Sequence, residues 1–521
     1  MKTRTTPHYS SDNASSAAGN AASEGDAYTY DMPEGLTVRV RLTSNPFGLH
    51  PDDLFRMAAR INKKRSFLFV SRILGKHIPV NPHKSLLGGA ALALLWQRRR
   101  AEEAGASFVS GAETGAGAAA VEGASAYAAS TAAREAAAYS LEDVCEALRG
   151  EASASRELHR RMKEHPLHLE EPALFIAFAE TATALGHAMY DCFAGETRFL
   201  HTTREELVGV EPVLSFEEEH SHATAHRCYA REASFFSGGD TVVLVDDEVT
   251  TGNTALNIIR DLQSKHPRRH YVVASLLDWR GAADRARFAA LEAELDIAIE
   301  TLALIEGEIQ VEGGPVEHLP QSSADRRADG AGEVLRHDLS PVFTHIAAPS
   351  VDTAGTVSNC PYLELTGRFG MYEGDNGTLD AQVRAAGAQL EAQRRGGRTL
   401  CMGTGEFMYV PMRIAAEMGE GVLYQSSTRS PIHVLDEDGY AVRSKFPHVS
   451  ADDPDVANFF YNIPAGAYDE IFVFLERMPA EDHLRPLLGA LESTGVPVIH
   501  LVFAGTAGDA LIQEDNSYVE R

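Results

Sequence analysis

Two adjacent carboxylates, followed by a turn rich in threonine and glycine, stand near the middle of the chain. Before them, the four consecutive apolar residues Val242–Val245 predict a parallel strand that is buried on both faces. Asp246 and Asp247 then lie where this strand is expected to end, which is where open α/β sheets bind their ligands. Carboxylates in that position can accept hydrogen bonds from the hydroxyls of a diol or lie close to Mg²⁺.

The turn after the strand is suited to an anion. It comprises Thr250, Thr251, Gly252, Asn253 and Thr254. A helical pattern follows over 255–262, and a helix N-terminus offers free N–H groups and the positive end of its dipole, which can hold a phosphate. Glycine lets the backbone close on the anion, and the threonine hydroxyls add donors. Strand end and turn together predict a pocket for a phosphorylated sugar.

The segment 242–254 resembles the 5-phosphoribosyl-1-pyrophosphate (PRPP) motif of type I phosphoribosyltransferases, which has four apolar residues, two acids, two variable positions and then Thr-Thr-Gly-x-Thr. The resemblance implies that Asp246 and Asp247 are catalytic residues that bind the ribose hydroxyls, with Mg²⁺ as the cofactor beside them. It also implies that residues 250–254 hold the 5-phosphate. Glu248 departs from the motif, because the family usually has an apolar residue there. The alternative is an ordinary strand, turn and helix with acids at the surface.

Length and charge restrict the class of protein. At 521 residues the chain exceeds the size of a single hydrophobic core, so two or three domains are expected. A hydrophobic content of 44% and a charged content of 23% are ordinary for a soluble globular protein. The net charge of −27 argues against nucleic acid as the main partner, because phosphate backbones are bound by Lys and Arg. An anionic substrate would therefore need Mg²⁺ or a local basic pocket.

Cysteine usage and hydropathy favour the cytoplasm. The five cysteines are scattered without a Cys-x-x-Cys pair, which fits a reducing compartment better than a disulfide scaffold. Residues 1–26 lack the apolar core of a secretory signal, and no run of about 18 apolar residues predicts a membrane span. We expect a cytoplasmic protein without membrane contact, for which a homodimer is one option.

Strands that alternate with helices predict a doubly wound parallel sheet, and the same alternation starts again in the second half of the chain. The expected organisation is a disordered N-terminus over 1–27, a phosphoribosyltransferase domain over 28–315 with a low-complexity insertion at about 101–133, a linker over 316–340, and a second α/β domain over 341–521. The elements predicted first are an edge strand over 36–42, a helix over 52–62, and strands over 66–71, 172–179, 242–245 and 271–277. The strands predicted later are 398–402, 470–475 and 496–503.

Transfer from PRPP breaks a C1–O bond through an oxocarbenium-like state, so it needs positioning and charge stabilisation more than a nucleophile. A second anion site is therefore expected beside the first. Glu180, Thr181 and Thr183 stand where the strand over 172–179 runs into a helix, and the corresponding loop of the family holds the pyrophosphate. The alternative is a capped helix start with Glu180 near the helix dipole.

A basic turn follows the strand over 66–71. Arg72, Lys76 and His77 could clamp pyrophosphate or an acidic acceptor, with Lys76 among the catalytic candidates. The alternative is a solvated loop.

A histidine-rich segment over 216–226 precedes the PRPP strand, where type I enzymes carry a mobile catalytic loop that excludes water. His220 and His222 are the catalytic candidates in this predicted lid. Being two residues apart, they do not share a helix face, so a loop suits them better than a helix. A metal site or an exposed charged loop are the alternatives.

The acceptor is expected near Trp279 and Arg280, which follow the strand over 271–277 at a position that approaches the nucleobase in similar enzymes. Trp279 could stack on a base and Arg280 could bind an acid; a core tryptophan with a surface arginine is the alternative. Hypoxanthine-type enzymes have an aspartate where Thr250 stands, so its absence favours an acidic, orotate-like acceptor over ordinary purine salvage.

The second half resembles the TRSP domain, named for the run Thr428-Arg-Ser-Pro431, which follows a phosphoribosyltransferase domain in proteins of bacterial tellurite-resistance (ter-type stress) gene clusters. The resemblance implies a second, Rossmann-like α/β domain and the synthesis of a nucleoside-like metabolite. The anion-site candidates there are Gly403, Thr404, Gly405, Ser427, Thr428 and Arg429. A turn with a helix cap is the alternative.

These features favour a Mg²⁺-dependent phosphoribosyltransferase that joins the ribose 5-phosphate of PRPP to a nitrogenous base and releases pyrophosphate. A regulator that senses PRPP without turnover and an interaction scaffold are the competing hypotheses. The acid pair and the histidine-rich segment favour the enzyme.

Overall fold

The computed structural model describes residues 27–62, 65–103, 139–150, 152–216, 225–317 and 332–506. Its α-helices are α1 (Pro51–Leu54), α2 (Pro82–Glu103), α3 (Leu141–Arg149), α4 (Ala152–Glu164), α5 (Ala182–Tyr190), α6 (Asn253–Lys265), α7 (Ala282–Leu295), α8 (Asp375–Glu391), α9 (Tyr409–Glu417) and α10 (Glu481–Glu492). In the part of the chain that the structure describes, no helix combines the length and the apolar character that crossing a membrane requires.

The strands alternate with these helices in both halves of the chain. They are β1 (Ala27–Asp31), β2 (Thr37–Ser44), β3 (Phe55–Ala59), β4 (Phe67–Ser71), β5 (Leu167–His168), β6 (Ala173–Ala177), β7 (Phe193–Ala194), β8 (Thr197–His201), β9 (Glu206–Leu207), β10 (Leu214–Phe216), β11 (His226–Cys228), β12 (Thr241–Val249), β13 (His270–Asp278), β14 (Ala298–Glu312), β15 (Glu333–Asp338), β16 (His345–Ile346), β17 (Ser350–Val351), β18 (Val357–Ser358), β19 (Tyr362–Leu363), β20 (Met371–Tyr372), β21 (Thr399–Gly403), β22 (Val422–Ser426), β23 (Lys445–Val449), β24 (Ala457–Tyr461), β25 (Glu470–Arg477) and β26 (Val498–Gly505).

The first sheet has the order β1-β2-β14-β13-β12-β6-β8-β20. Its five central strands, from β14 to β8, are parallel, whereas β1, β2 and β20 join antiparallel at the two sides. The predicted parallel sheet is thus confirmed, within a mixed sheet. The chain order reverses between β6 and β12, and such a switch point opens a crevice at the carboxyl ends of the two strands.

The second sheet has five strands in the order β15-β26-β25-β21-β22, and every neighbouring pair is parallel. Its order reverses between β21 and β25, so a second crevice is expected at their carboxyl ends. The strand β15 lies within the range 316–340 that the sequence assigns to a linker, which corrects that boundary. Residues 333–338 form a strand because they pair with β26, which is far away in the sequence. The local sequence pattern does not reveal such a partner.

One further prediction was wrong, and another was right only in part. The helix predicted over 52–62 is the short α1 followed by β3, because the capping box at His50 starts one helical turn and pairing with β4 then extends the chain. The strand predicted over 36–42 is confirmed as β2, but it lies between β1 and β14 rather than at the edge. The strands predicted over 66–71, 172–179, 242–245, 271–277, 398–402, 470–475 and 496–503 are confirmed as β4, β6, β12, β13, β21, β25 and β26.

Several predicted features lie outside the described residues. These are the disordered N-terminus except for residue 27, most of the insertion at 101–133, and most of the linker. His220 and His222, with the rest of 217–224, also lie outside them.

The two halves of the chain pack against each other directly. β20 extends the first sheet beyond β8, and a backbone bridge joins Val80 to Tyr424 in the middle of β22. A single cluster of buried apolar side chains runs through both halves, including Phe175 of the first sheet and Phe474 of the second. The two halves consequently share one hydrophobic core.

The contact between α2 and α5 fixes the position of the loop that precedes α5. A Cβ added to Gly89 would lie 2.5 Å from the backbone nitrogen of Met189, so the helix backbones approach too closely for a side chain. We expect Gly89→Ala to lower the free energy of unfolding by about 1–3 kcal/mol through overpacking. Gly88 is the matched control, because its Cβ would lie 3.4 Å from the side chain of Ile73, an ordinary contact. Gly88→Ala should keep or gain stability in urea unfolding, and equal losses in both variants would contradict the close approach.

Candidate active site

The acid pair lies at the carboxyl end of β12. Val242–Val245 are fully buried between β6 and β13, as predicted. The strand extends through Asp246 and Asp247, which are half-buried, so the acids belong to its last residues rather than following it. The backbone N–H of Asp247 donates to Asp246 Oδ1 (2.9 Å). Burial raises the pKa of Asp247, although Asp246 and the charges of Lys76 and Arg65 act in the opposite direction.

Thr250, Thr251 and Gly252 form a partly exposed turn that leads into α6, as predicted, but the helix begins at Asn253, two residues before the predicted helical pattern. Gly252 precedes the helix with φ 74°, and a Cβ there would lie 2.4 Å from the ring of Phe288, so both conformation and space require glycine. Arg287 of α7 donates to the carbonyl of Thr251 (3.1 Å) and also to the side chain of Asn253. This cation beside the predicted phosphate turn was not predicted, since nothing in its local sequence distinguishes it from a surface helix residue.

The predicted pyrophosphate loop lies at the end of the neighbouring strand β6. Glu180 is buried there, and Lys76 Nζ lies 2.6 Å from Glu180 Oε2. Thr183 donates through Oγ1 to the carbonyl of Glu180 (2.9 Å), and Thr181 is the residue before α5. The structure thus brings together the strand-end loop and Lys76 of the basic turn, which the sequence placed about a hundred residues apart.

A cation from the second half of the chain reaches the same carboxylate. Arg429 Nε lies 3.8 Å from Glu180 Oε1. Burial on its own would raise the pKa of Glu180, but the charges of Lys76, Arg429 and Arg204 hold it below its ordinary value. Arg204 follows β8 and was not predicted, although polar residues after another strand of the same sheet were an available signal.

Of the other two residues of the basic turn, one is bound to the protein backbone and the other is buried. Arg72 donates to the backbone carbonyl of Asp52. His77 is buried, and burial lowers its pKa to about 3, so its ring is neutral at physiological pH. These two observations do not support a clamp on pyrophosphate by the side chains of Arg72 and His77.

Trp279 and Arg280 lie in the core. The ring of Trp279 stacks on Phe69, with centroids 4.9 Å apart. Arg280 forms a buried ion pair with Asp278, in which Nη2 lies 2.7 Å from Oδ2, and its guanidinium covers the ring of Phe288. Both side chains therefore have protein partners in place of the predicted acceptor.

A small recess opens beside the acid pair instead. It is lined by the side chains of Leu54, Phe69, Ser71, Leu74, Asp247, Glu248, Leu276 and Leu277. Glu248 forms an ion pair with Arg65, and its pKa is raised by burial. The recess is thus apolar on one side and acidic on the other.

The predicted anion residues of the second half follow β21 and β22. The Gly405 N–H donates to Ser427 Oγ (2.9 Å), the Ser427 N–H donates to the carbonyl of Gly403 (3.0 Å), and Thr404 Oγ1 donates to the carbonyl of Phe474 (2.9 Å). The backbone of Thr428 pairs with Phe459. These contacts use donors within the turn, whereas the guanidinium of Arg429 extends toward Glu180.

Glu406 joins the carboxyl ends of the two sheets. Its carboxylate accepts from Thr203 Oγ1 (2.6 Å), from the backbone N–H of Arg204 (2.8 Å) and from Arg368 Nη1 (2.7 Å). Arg368 is 1% exposed and also donates to Glu476 (2.8 Å). Burial would raise the pKa of Glu406, but Arg368 and the two other donors lower it below its ordinary value. The sequence indicated a turn at Gly403–Glu406 and not this network.

The acid pair has the chemistry to hold a hard cation. Within the described ranges, no three of His, Cys, Asp and Glu come together as a complete metal site. Mg²⁺ is usually held by one or two carboxylates, together with water and substrate phosphates. Asp246 and Asp247 match that donor set, and a dication beside Asp247 would offset the cost of burying its charge.

Comparison with known families agrees with this arrangement. Residues 54–308 match the family described as phosphoribosyl transferase, and residues 365–491 match the family described as TRSP domain C terminus to PRTase_2. The two matches support a phosphoribosyltransferase domain with a C-terminal TRSP domain. A search of curated proteins found no match.

Solved adenine phosphoribosyltransferases are among the similar structures. The enzyme from Trypanosoma brucei, in complex with AMP, pyrophosphate, and ribose-5-phosphate, aligns at 16% identity over 28% of this chain and 64% of its own, with a TM-score of 0.20. The Leishmania donovani enzyme aligns at 19% identity over 29% of this chain and 63% of its own, with a TM-score of 0.18. The Rhodothermus marinus enzyme aligns at 21% identity over 26% of this chain and 71% of its own, also with a TM-score of 0.18. This chain thus spans less than two thirds of the first two enzymes.

Removal of the Glu406 charge tests the junction between the two sheets. We expect Glu406→Gln to lower the free energy of unfolding by about 3–5 kcal/mol, because it breaks a buried ion pair and leaves Arg368 without one of its carboxylates. The measurement is urea unfolding of the full chain. The control is Glu481→Gln, since Glu481 pairs with Arg336 at an exposed position and should leave the midpoint unchanged. Similar midpoints for both variants would contradict a junction held by Glu406.

Proposed function

We propose that the protein is a Mg²⁺-dependent phosphoribosyltransferase, which transfers ribose 5-phosphate from PRPP to a nitrogenous base and releases pyrophosphate. The observation that carries the proposal is the juxtaposition at the switch point of the first sheet. The acid pair and the turn Thr250–Thr254 end β12, while Glu180 and Lys76 lie at the end of the adjacent β6. Adjacent strands lie about 5 Å apart, a separation that suits two anionic groups of one small molecule.

The proposed reaction forms a bond between a base nitrogen and C1 of the ribose and breaks the bond from C1 to pyrophosphate. The bonding electrons leave with pyrophosphate, and the proton of the attacking nitrogen is released. Asp246 and Asp247 would hold the ribose hydroxyls and orient C1, and the turn Thr250–Thr254 would hold the 5-phosphate through its N–H groups. Lys76 would stabilise charge that develops on the pyrophosphate. Mg²⁺, when bound, would neutralise part of the same charge.

For the acceptor we propose a neutral base with N–H donors. The sequence led us to expect an acidic, orotate-like acceptor for two reasons, the absence of an aspartate at Thr250 and a cation at Arg280, and Asp278 holds Arg280 in the core. The recess beside the acid pair has a volume of about 10 Å³, so a base would lie at its mouth, against Asp247, Glu248 and one aromatic ring, Phe69. Carboxylates repel an acid, whereas they accept hydrogen bonds from ring or exocyclic N–H groups.

We further propose that the enzyme works in the cytoplasm as a homodimer, and that its product is a nucleoside-like metabolite of tellurite-resistance type systems. The described cysteines are all buried free thiols, which fits a reducing compartment. The second α/β domain is proposed to be Rossmann-like, on the strength of its five parallel strands.

The binding proposal is tested by calorimetry with PRPP and Mg²⁺. We expect the wild type to bind and the double variant Asp246→Asn/Asp247→Asn to lose at least tenfold in affinity, since an amide cannot replace a carboxylate toward both hydroxyls and a cation. Glu294→Gln, on the outer face of α7, is the control with unchanged binding. Equal affinity in the double variant would remove these residues from the site.

The single substitution Asp247→Asn separates a binding role of this carboxylate from a structural one. Burial raises the pKa of Asp247 in the folded state above its unfolded value. The folded protein therefore loses stability as the pH rises from the unfolded pKa to the folded pKa, because the buried carboxylate has to ionise. We therefore expect Asp247→Asn to keep or raise the melting temperature at pH 7 while PRPP binding is lost. A lower melting temperature would indicate that the carboxylate stabilises the fold.

Turnover distinguishes an enzyme from a PRPP sensor, and the acceptor class can be read from the same assay. We expect pyrophosphate release from PRPP with neutral, amino-bearing bases and none with orotate. Glu248→Gln should reduce turnover at least tenfold while PRPP affinity stays within twofold, because Glu248 lines the recess beside the acid pair. PRPP binding without release for any base would favour the sensor, and efficient use of orotate would overturn the neutral acceptor.

A further inference from the structure

We propose that the C-terminal domain completes the pyrophosphate end of the PRPP site, with Arg429 binding the diphosphate jointly with Lys76. This inference rests on the proposed function and assigns a role to the second domain. It replaces the separate anion site expected after β21 and β22 by one site shared between the two domains.

The first argument is how firmly the second domain is attached at this place. Backbone hydrogen bonds join Val80 and Tyr424 in both directions (2.9 and 2.7 Å), and Ser426 N–H donates to the carbonyl of Gly75 (2.8 Å). A Cβ on Gly75 would lie 2.8 Å from the ring of Tyr424, so this glycine permits the close approach. Arg429 therefore lies three residues after a backbone contact with the turn that carries Lys76.

The second argument is electrostatic. Lys76, Arg204 and Arg429 all act on the carboxylate of Glu180. Lys76 and Arg429 lie 2.6 and 3.8 Å from the same carboxylate, so two cations are held close together in a chain whose net charge is −27. Lys76 is 2% exposed, and taking such a charge out of water is costly unless anionic groups compensate it. Glu180 and Asp247 supply part of this compensation, and a diphosphate would add to it.

The third argument is hydrogen bonding. Glu180 Oε1 and Arg429 Nε are both buried and have no hydrogen-bond partner among the described residues. They lie 3.8 Å apart, which is beyond hydrogen-bond distance. The side chain of Arg429 is 29% exposed, so part of it is accessible from solvent. Its planar fork of donors matches two phosphate oxygens at once.

These arguments predict selectivity between ligands. PRPP and pyrophosphate carry a diphosphate that reaches Lys76 and Arg429, whereas ribose 5-phosphate occupies only the turn Thr250–Thr254 and the acid pair. Loss of Arg429 should therefore weaken the first two ligands and leave the third unchanged.

The test is calorimetry of the full chain with PRPP, pyrophosphate and ribose 5-phosphate, each with Mg²⁺. We expect Arg429→Gln to weaken PRPP and pyrophosphate at least tenfold and to leave ribose 5-phosphate within twofold, which also shows that the variant is folded. Arg429→Lys keeps the positive charge but loses the planar group of donors, so its affinity for PRPP and pyrophosphate should lie between those of the wild type and Arg429→Gln. The control is Arg443→Gln in the same domain, since Arg443 pairs with Asp436 and Asp438 at the surface.

Two outcomes would overturn the inference in distinguishable ways. If the wild type binds PRPP and Arg429→Gln binds it equally well, the second domain contributes nothing to the site, while the proposed function stands. If the wild type binds neither PRPP nor ribose 5-phosphate, the proposed function fails and the shared site fails with it.

Discussion

The buried carboxylate of Glu406 determines how the two parallel sheets face each other. It accepts hydrogen bonds from Thr203 and from the backbone of Arg204 in the first domain, and from Arg368, which is also bound to Glu476 of the second sheet. A buried charge is tolerated only with its partners in place. The contact therefore favours a single arrangement of the two carboxyl edges, and the positions of the cations around Glu180 follow from that arrangement.

Basic side chains gather around one buried carboxylate in this strongly acidic chain. Glu180 holds Lys76 and Arg429 close together, with Arg204 acting on the same carboxylate. Like charges would otherwise repel each other across a short distance. The acid thus serves as a counter-ion that orders the basic groups, and its own pKa is lowered by them.

The two halves of the proposed site differ in how they are built. The half that ends β12 is one continuous piece of chain, in which a buried strand, two acids and a glycine turn follow each other directly. The half around Glu180 combines the end of β6, a turn after β4 and a run after β22. Sheet topology brings these pieces together, since both crevices lie at carboxyl ends of parallel strands.

The sequence by itself determined the parts of the protein that depend on neighbours along the chain. The strand, acids and turn over 242–254 were predictable because burial, helix capping and backbone freedom act over a few residues. Only the tertiary structure decided that residues 55–59 form a strand, that Arg280 pairs with Asp278 in the core, and that Glu406 and Arg429 reach the first domain. Strand pairing and buried ion pairs join residues far apart in the chain, 203 positions for Thr203 and Glu406, and local periodicity carries no information about such partners.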